Sequence, residues 1–238
     1  MTKVAISDEA RELYSRATTA SLTAQLVKRG LRTRAISNIG SINPDTPRVF
    51  GPAYTLRYIP MREDLATGAA MADPENPQRK AIEVMPAGHV LVADTHGLDV
   101  SGTLGDILVA RLRVRGVAGV VSDGPMRDIA ELENMDFPVF ARGNAAPPSY
   151  ASMLAADAQV PIGCGGVAVF PGDIVIGDED GVVFLPAAIA EEVARDAVEQ
   201  DRLEAYVRQR IEDGDSIVGV YPPNEETQAA YKTWLAKR

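Results

Sequence analysis

Between residues 89 and 121 the chain runs through a short apolar segment, a glycine-bearing loop, a helix-spaced segment and a second apolar run, and that order admits few folds. His89-Val90-Leu91-Val92-Ala93-Asp94-Thr95 is short, β-branched and apolar, the pattern of a buried strand. A loop with Gly97, Ser101, Gly102 and Gly105 follows. Asp106 to Arg115 then places apolar residues at helical spacing, and Gly116 is a helix stop. Val117 to Val121 reads as a second buried strand, closed by the turn signal Asp123-Gly124. Strand, helix and strand in this order make a parallel pair joined by a right-handed crossover. The helix runs back along the sheet, so its N-terminus lies at the edge where both strands end. Open α/β sheets bind their ligands at that edge.

The polar residues predicted at this edge are chemically suggestive. The Gly-rich loop and the first free N–H groups of the helix offer a cradle for an anion. Arg127 can grip a carboxylate with two parallel hydrogen bonds. Asp106 and Asp128 offer hard oxygen ligands of the kind that suit Mg²⁺ or Mn²⁺. Each residue has a plainer alternative. Asp106 is a good first-turn acid for the helix dipole. Asp128 can open a helix over 129–135, and Arg127 with Asp128 can be a surface ion pair worth little. What favours a site is that three charges converge on one glycine-lined edge.

Around this unit, residues 7–29 read as one or two helices started by Ser7 and Asp8, and 48–59 as a strand. Residues 61–87, rich in Asp, Pro, Asn and Gly, read either as a solvated excursion or as a mobile loop with Arg57, Arg62 and Glu63 turned toward substrate. A short strand is expected at 138–141, then several across 160–186 with Pro-Gly and Asp-Gly turns, forming a second β-layer. A long amphipathic helix over 187–213 stops at Gly214, and the tail from Tyr221 packs across the domain or on a neighbour. No strong linker divides the chain, so residues 1–238 are expected to form one α/β domain, with a core at about 20–215 and a tail at 216–238.

Composition excludes some functions. The net charge of −9 argues against a broad nucleic-acid-binding surface. The short basic cluster Lys28 to Arg34 ends a helix favourably or meets an acidic substrate or subunit. No apolar run is long enough to cross a bilayer and no signal-peptide pattern is seen, so no membrane partner is expected. The single cysteine, Cys164, excludes an intrachain disulfide and fits a cytoplasmic protein. No histidine adjoins Cys164 to make it a nucleophile, and Gly163-Cys164-Gly165-Gly166 is no dinucleotide fingerprint. His89 is expected to be structural and His96 to pack a loop. Asp178-Glu179-Asp180 reads as a turn.

The span Gly105-Asp106, then Gly116 through Gly124-Pro125-Met126-Arg127-Asp128, resembles the acid, twenty residues, Arg-Asp signature of the RraA-like proteins. That family includes the class II 4-hydroxy-4-methyl-2-oxoglutarate/4-carboxy-4-hydroxy-2-oxoadipate aldolases. Val49-Phe50-Gly51-Pro52-Ala53-Tyr54-Thr55-Leu56 and the segments Gly166–Asp173 and Gly177–Val183 extend the resemblance over about residues 20–215. It implies a three-layer β/β/α fold of the swivelling-domain type with N- and C-terminal helices, assembled as trimers or dimers of trimers. It also implies a lyase that uses Mg²⁺ or Mn²⁺ to cleave a 4-hydroxy-2-keto acid to pyruvate, with oxaloacetate decarboxylation as a side activity. Asp128 would correspond to the metal ligand, Arg127 to the carboxylate grip completed by amides around Ile107 and Leu108, and Asp106 to the residue orienting a proton-passing water. No lysine lies in the motif, which disfavours a Schiff-base aldolase.

Two departures from that pattern concern the substrate. The N-terminal helix acid of the aldolases has no counterpart in Ser21-Leu22-Thr23-Ala24-Gln25-Leu26. Asp201 and Glu204 are the candidates for an acid supplied by a neighbouring subunit. The substrate is therefore expected to be either 4-hydroxy-4-methyl-2-oxoglutarate-like or a 2-keto-3-deoxy sugar acid. The alternative role is that of a non-catalytic regulator binding an RNA-degrading endonuclease, as some relatives do. A methyltransferase role finds no S-adenosylmethionine loop to support it.

Overall fold

The computed structural model describes residues 6–46 and 48–237. In chain order the elements are α1 (Asp8–Arg16), α2 (Thr19–Lys28), β1 (Ala35–Ile36), β2 (Gly40–Ser41), β3 (Val49–Pro60), α3 (Gly68–Ala72), α4 (Pro77–Val84), β4 (Val90–Asp94), α5 (Asp106–Val114), β5 (Gly119–Ser122), α6 (Ile129–Glu133), β6 (Val139–Ala141), β7 (Met153–Ala158), β8 (Ile174–Asp178), β9 (Gly181–Leu185), α7 (Ala190–Glu212) and α8 (Glu225–Leu235). The strands follow the order β1-β9-β8-β3-β4-β5-β6-β2, with β7 paired to the far end of β3. β3 belongs to both halves. Val49–Pro52 pairs antiparallel with β8, whereas Ala53–Arg57 pairs parallel with β4.

Strand periodicity sorts the apolar residues into layers. Successive side chains point to opposite faces, and in β4 Leu91 and Ala93 join one core while Val90 and Val92 join another. The first core lies under α4 and α5, where Ala81, Ile82, Met85, Val109 and Leu112 pack on the sheet. The second is the β-on-β interior, where Val90, Val92, Val121 and Phe140 meet Val175, Val182 and Phe184. On the opposite face of β8 and β9, Ile174, Ile176, Val183 and Leu185 bury against Leu22, Leu26, Val193 and Ala197 of α2 and α7. This is the expected β/β/α arrangement with helices from both ends of the chain. The tail folds back on α7, with Tyr231 and Trp234 packed on Tyr206.

Most boundaries fall within a few residues of expectation, and 7–29 resolves into two helices. Residues 61–87 differ, because they contain α3 and α4. Asn76-Pro77, within that Pro- and Asn-rich stretch, is a helix start: the Asn76 side chain accepts from the Gln78 amide, and proline fits the first helical position. Strand β7 was also unforeseen. Its antiparallel pairing with β3, across a register shift at Arg57 and Tyr58, holds a sequence with little β-propensity. Of the single domain expected over 1–238, residues 1–5, 47 and 238 lie outside the described residues.

The turn read at Asp178 does more than reverse the chain. Its buried carboxylate accepts from the Thr19 amide at 2.8 Å and the Thr19 hydroxyl at 2.5 Å, so the hairpin of β8 and β9 caps α2. An Asp178→Ala variant is expected to lose about 1–3 kcal/mol of stability by leaving those donors unpaired, read as a lower urea midpoint.

Candidate active site

The crossover places the N-terminus of α5 where β4 and β5 end, and the neighbouring loops are stitched to it by backbone bonds. Gly102 N donates to Pro147 O at 2.8 Å, Thr103 N to Pro125 O at 2.8 Å, and Arg127 N to Leu104 O at 3.1 Å. Three chain segments that are distant in sequence thereby meet around one cleft of about 300 Å³. Gly105, Asp106, Ile107, Leu108, Arg127 and Asp128 all line it. The volume lies at the small end of ligand pockets, which fits a compact metabolite.

Asp128 shows how the local fold serves the cleft. It occupies the N-cap position of α6, yet its side chain makes no capping hydrogen bond. Its backbone is left-handed, at φ 58° and ψ 44°, a conformation unfavourable for most residues though tolerated by Asp and Asn. The carboxylate instead faces the α5 N-terminus: a Cβ at Gly105 would lie 2.3 Å from Asp128 Oδ2. A side chain at Gly105 would displace that carboxylate from the turn. Gly102 is required by space, since a Cβ would come within 2.8 Å of Arg127 Cβ and 3.0 Å of Arg127 N. Arg127 Nε lies 3.3 Å from Asp128 Oδ2, with both side chains about one-third exposed, so the pair is solvated enough to be worth little to stability.

Asp106 begins α5 and lines the same cleft, and its carboxylate has no protein partner among the described residues. The first backbone bond of this turn runs from Val109 N to Gly105 O at 3.1 Å. The amides ahead of it are those that α-helical geometry leaves free for an anion. Two carboxylates, one guanidinium and a row of open amides are what chelation of a small oxyanion beside a hard cation needs. Among the described residues no group of three His, Cys, Asp or Glu side chains forms a closed metal cage. An open pair of carboxylates suits Mg²⁺, which usually keeps waters and substrate oxygens among its ligands.

Arg57, Arg62 and Glu63 do not reach the cleft. Arg57 faces Asp157 at 3.9 Å and Arg62 pairs with Asp64 at 2.5 Å. Asp201, a candidate acid for a neighbouring site, is occupied in its own chain. It accepts from Thr18 N at 3.2 Å, Thr18 Oγ1 at 2.9 Å and Ser21 Oγ at 2.6 Å, fastening α2 to α7. Glu204 accepts from Gln200 Nε2 at 2.8 Å and lines a separate groove with Gln25 and Tyr221.

Other cleft residues were not legible in the sequence. Met71, Gln78 and Arg79 arrive on α3 and α4, and Pro148, Ser149 and Tyr150 on the turn before β7. The signal that could have found the first group is the Asn-Pro helix start at 76–77. Gln78 is fixed by donating to Tyr58 OH at 2.8 Å and Thr103 O at 3.2 Å. A buried brace beneath the edge was missed too. Asp123 accepts from Thr95 N, Thr95 Oγ1, Gly97 N and Gly165 N at 2.7–3.2 Å, and Asp94 accepts from His96 N and Gly163 N. Cys164 lies buried among these groups, and burial, followed by the charges of Asp123 and Asp94, pushes its thiol well up. It is a poor nucleophile, as expected.

Comparison with known proteins shows the family and the fold. The model of the RraA-like family, described as Aldolase/RraA, matches residues 5–184. A protein of Halalkalibacterium halodurans named putative 4-hydroxy-4-methyl-2-oxoglutarate aldolase is 31% identical over 189 residues, covering 79% of this chain and 83% of the relative. A Thermus thermophilus protein named 4-hydroxy-4-methyl-2-oxoglutarate aldolase is 36% identical over 108 residues, covering 45% of this chain and 65% of the relative. The structure of Streptomyces coelicolor RraAS2, described as an unusual member of the RNase ES inhibitor RraA protein family, superimposes with a TM-score of 0.72 at 31% identity. That match spans 85% of this chain and 96% of the other.

Proposed function

The chain belongs to the RraA-like family, and from that premise we propose that it is a divalent-metal-dependent lyase releasing pyruvate from a 4-hydroxy-2-keto acid. One observation carries the reading: Asp128 holds a left-handed backbone at a helix N-cap without capping the helix, and its carboxylate is directed at the Gly105-Asp106 turn beside Arg127. Strain of this kind marks positions that function retains.

In this reading Asp128 would hold Mg²⁺ or Mn²⁺, with Asp106 on the same rim of the cleft. When bound, the cation supplies Lewis-acid stabilisation of the negative charge that develops on the 2-keto oxygen. Arg127 binds the substrate carboxylate through its terminal amino groups, and the amides of Ile107 and Leu108 complete that grip. The bound acid is thereby oriented before reaction, which lowers the entropic part of the barrier. Asp106 takes the C4 hydroxyl proton through a water as the C3–C4 bond breaks. The products are a carbonyl compound and the enolate of pyruvate, which is protonated at C3. Oxaloacetate decarboxylation would proceed through the same enolate.

The test is pyruvate release from a panel of 4-hydroxy-2-keto acids and oxaloacetate, with Mg²⁺ or Mn²⁺ and then with chelator. Chelator-sensitive pyruvate formation is the expected result. A folded, metal-replete protein that releases pyruvate from no member would overturn the lyase reading and favour an RNase-inhibitor role like that in the description of the Streptomyces neighbour.

A further inference from the structure

We infer that Arg79 is the specificity-determining residue of this cleft, selecting substrates that carry a second anionic group at the end remote from the 2-keto acid. The inference rests on the proposed lyase reading for the identity of the reacting end, but its own argument comes from the α4 wall. Among the described residues, two cations line the cleft: Arg127, beside Asp128, and Arg79, on the wall formed by α3 and α4.

Arg79 differs from its cationic neighbours. Lys80 is paired with Glu75 at 2.6 Å, Arg111 with Glu83 at 2.7 Å, and Arg115 with the same Glu83 at 3.9 Å. Arg79 has no acidic partner among the described residues. Its Nε donates to the carbonyl of Met71, which also lines the cleft. That bond anchors the base of the guanidinium and leaves both terminal amino groups for an oxyanion, the fork geometry that suits a carboxylate or a phosphate.

Two of the neutral polar wall groups are already employed. Gln78 donates to Tyr58 OH and Thr103 O, and Thr103 Oγ1 bonds Ser122 Oγ at 2.9 Å. With Arg127 gripping the first carboxylate, Arg79 is the other cation on the lining, among the described residues, that can receive a second. A neutral polyol end would leave its amino groups without a counter-charge. Ile107 and Leu108, which line the same cleft, offer apolar contact to the carbon chain.

Binding and turnover separate this inference from the lyase reading. Pyruvate and 2-oxoglutarate share a 2-keto-acid head and lack the reactive 4-hydroxyl, and only 2-oxoglutarate has a distal carboxylate. Calorimetry with Mg²⁺ present should show the unmodified protein binding 2-oxoglutarate roughly ten- to a hundredfold more tightly than pyruvate, the range for a hydrogen-bonded charged group. Arg79→Gln should remove most of that preference and Arg79→Lys restore part of it. In turnover, the ratio of kcat/KM between 4-hydroxy-2-keto acids ending in an anion and in a methyl group should fall by a similar factor in Arg79→Gln, chiefly through KM. Carboxylate-ended and phosphate-ended members, run in parallel, identify which anion is selected. No binding preference in the unmodified protein, or equal weakening of both ligands by Arg79→Gln, would overturn the inference and reduce Arg79 to a tether for Met71. Failure of turnover with every substrate would refute the lyase reading, while the binding comparison would still decide the role of Arg79.

Discussion

Asp128→Asn is expected to lower pyruvate formation by at least about a thousandfold, equivalent to roughly 4 kcal/mol of transition-state stabilisation, while leaving the thermal midpoint nearly unchanged. Asparagine is the informative replacement. It has the shape of aspartate and is likewise tolerated in the left-handed region, whereas alanine at φ 58° would add backbone strain. The α6 helix would lose no cap, because Asp128 provides none. The Arg127 contact is too exposed to support the fold. What asparagine does lose is the charge of a hard oxygen ligand. Metal binding followed by calorimetry should weaken in parallel with turnover. A variant retaining most of its activity would remove Asp128 from the metal site.

Asp123→Asn is expected to have the opposite signature, a large loss of stability. Asp123 is 1% exposed and both carboxylate oxygens accept twice: Oδ1 from Thr95 N and Thr95 Oγ1, Oδ2 from Gly97 N and Gly165 N. Whichever way the amide of asparagine is turned, its NH₂ faces two donors. Each buried donor left unpaired costs about 1–3 kcal/mol, so the change should cost roughly 3–5 kcal/mol and lower the urea midpoint accordingly. The loops that Asp123 ties together carry Cys164, so the thiol, inert in the unmodified protein, should become reactive toward a thiol reagent. A midpoint equal to that of the unmodified protein would show that the hub does not brace the edge. The contrast between the two aspartates follows from surroundings: one is enclosed and fully bonded, the other is half-open and bonded to nothing that stabilises the fold.

The two variants mark how far the sequence could be read. Asp128 was legible because its value lies in chain order: an acid, twenty residues and an Arg-Asp pair across a strand–helix–strand unit bring Asp106, Arg127 and Asp128 to one edge whatever the details of packing. Gly102 and Gly105 belong to the same unit. Asp123 read only as half of an Asp-Gly turn, because all four of its donors come from the loops after β4 and after residue 162, and only the folded chain puts them around it. Asp201 read as one of two candidates, with Glu204, for an acid supplied to a neighbour, and nothing in α7 reveals that Thr18 and Ser21 bond to it within its own chain.

By itself the sequence determined the strand–helix–strand unit over 89–121, the buried character of β4 and β5, and the polar edge at Gly105, Asp106, Arg127 and Asp128. These are properties of local periodicity and of short connections, which dictate neighbours within a βαβ unit. The tertiary structure decided which distant segments close the cleft: the α4 wall with Gln78 and Arg79, the turn with Ser149 and Tyr150, and the β7 strand held against β3 by a partner rather than by propensity. Contacts between residues far apart in the chain depend on how whole layers pack, and no short stretch of sequence encodes that packing.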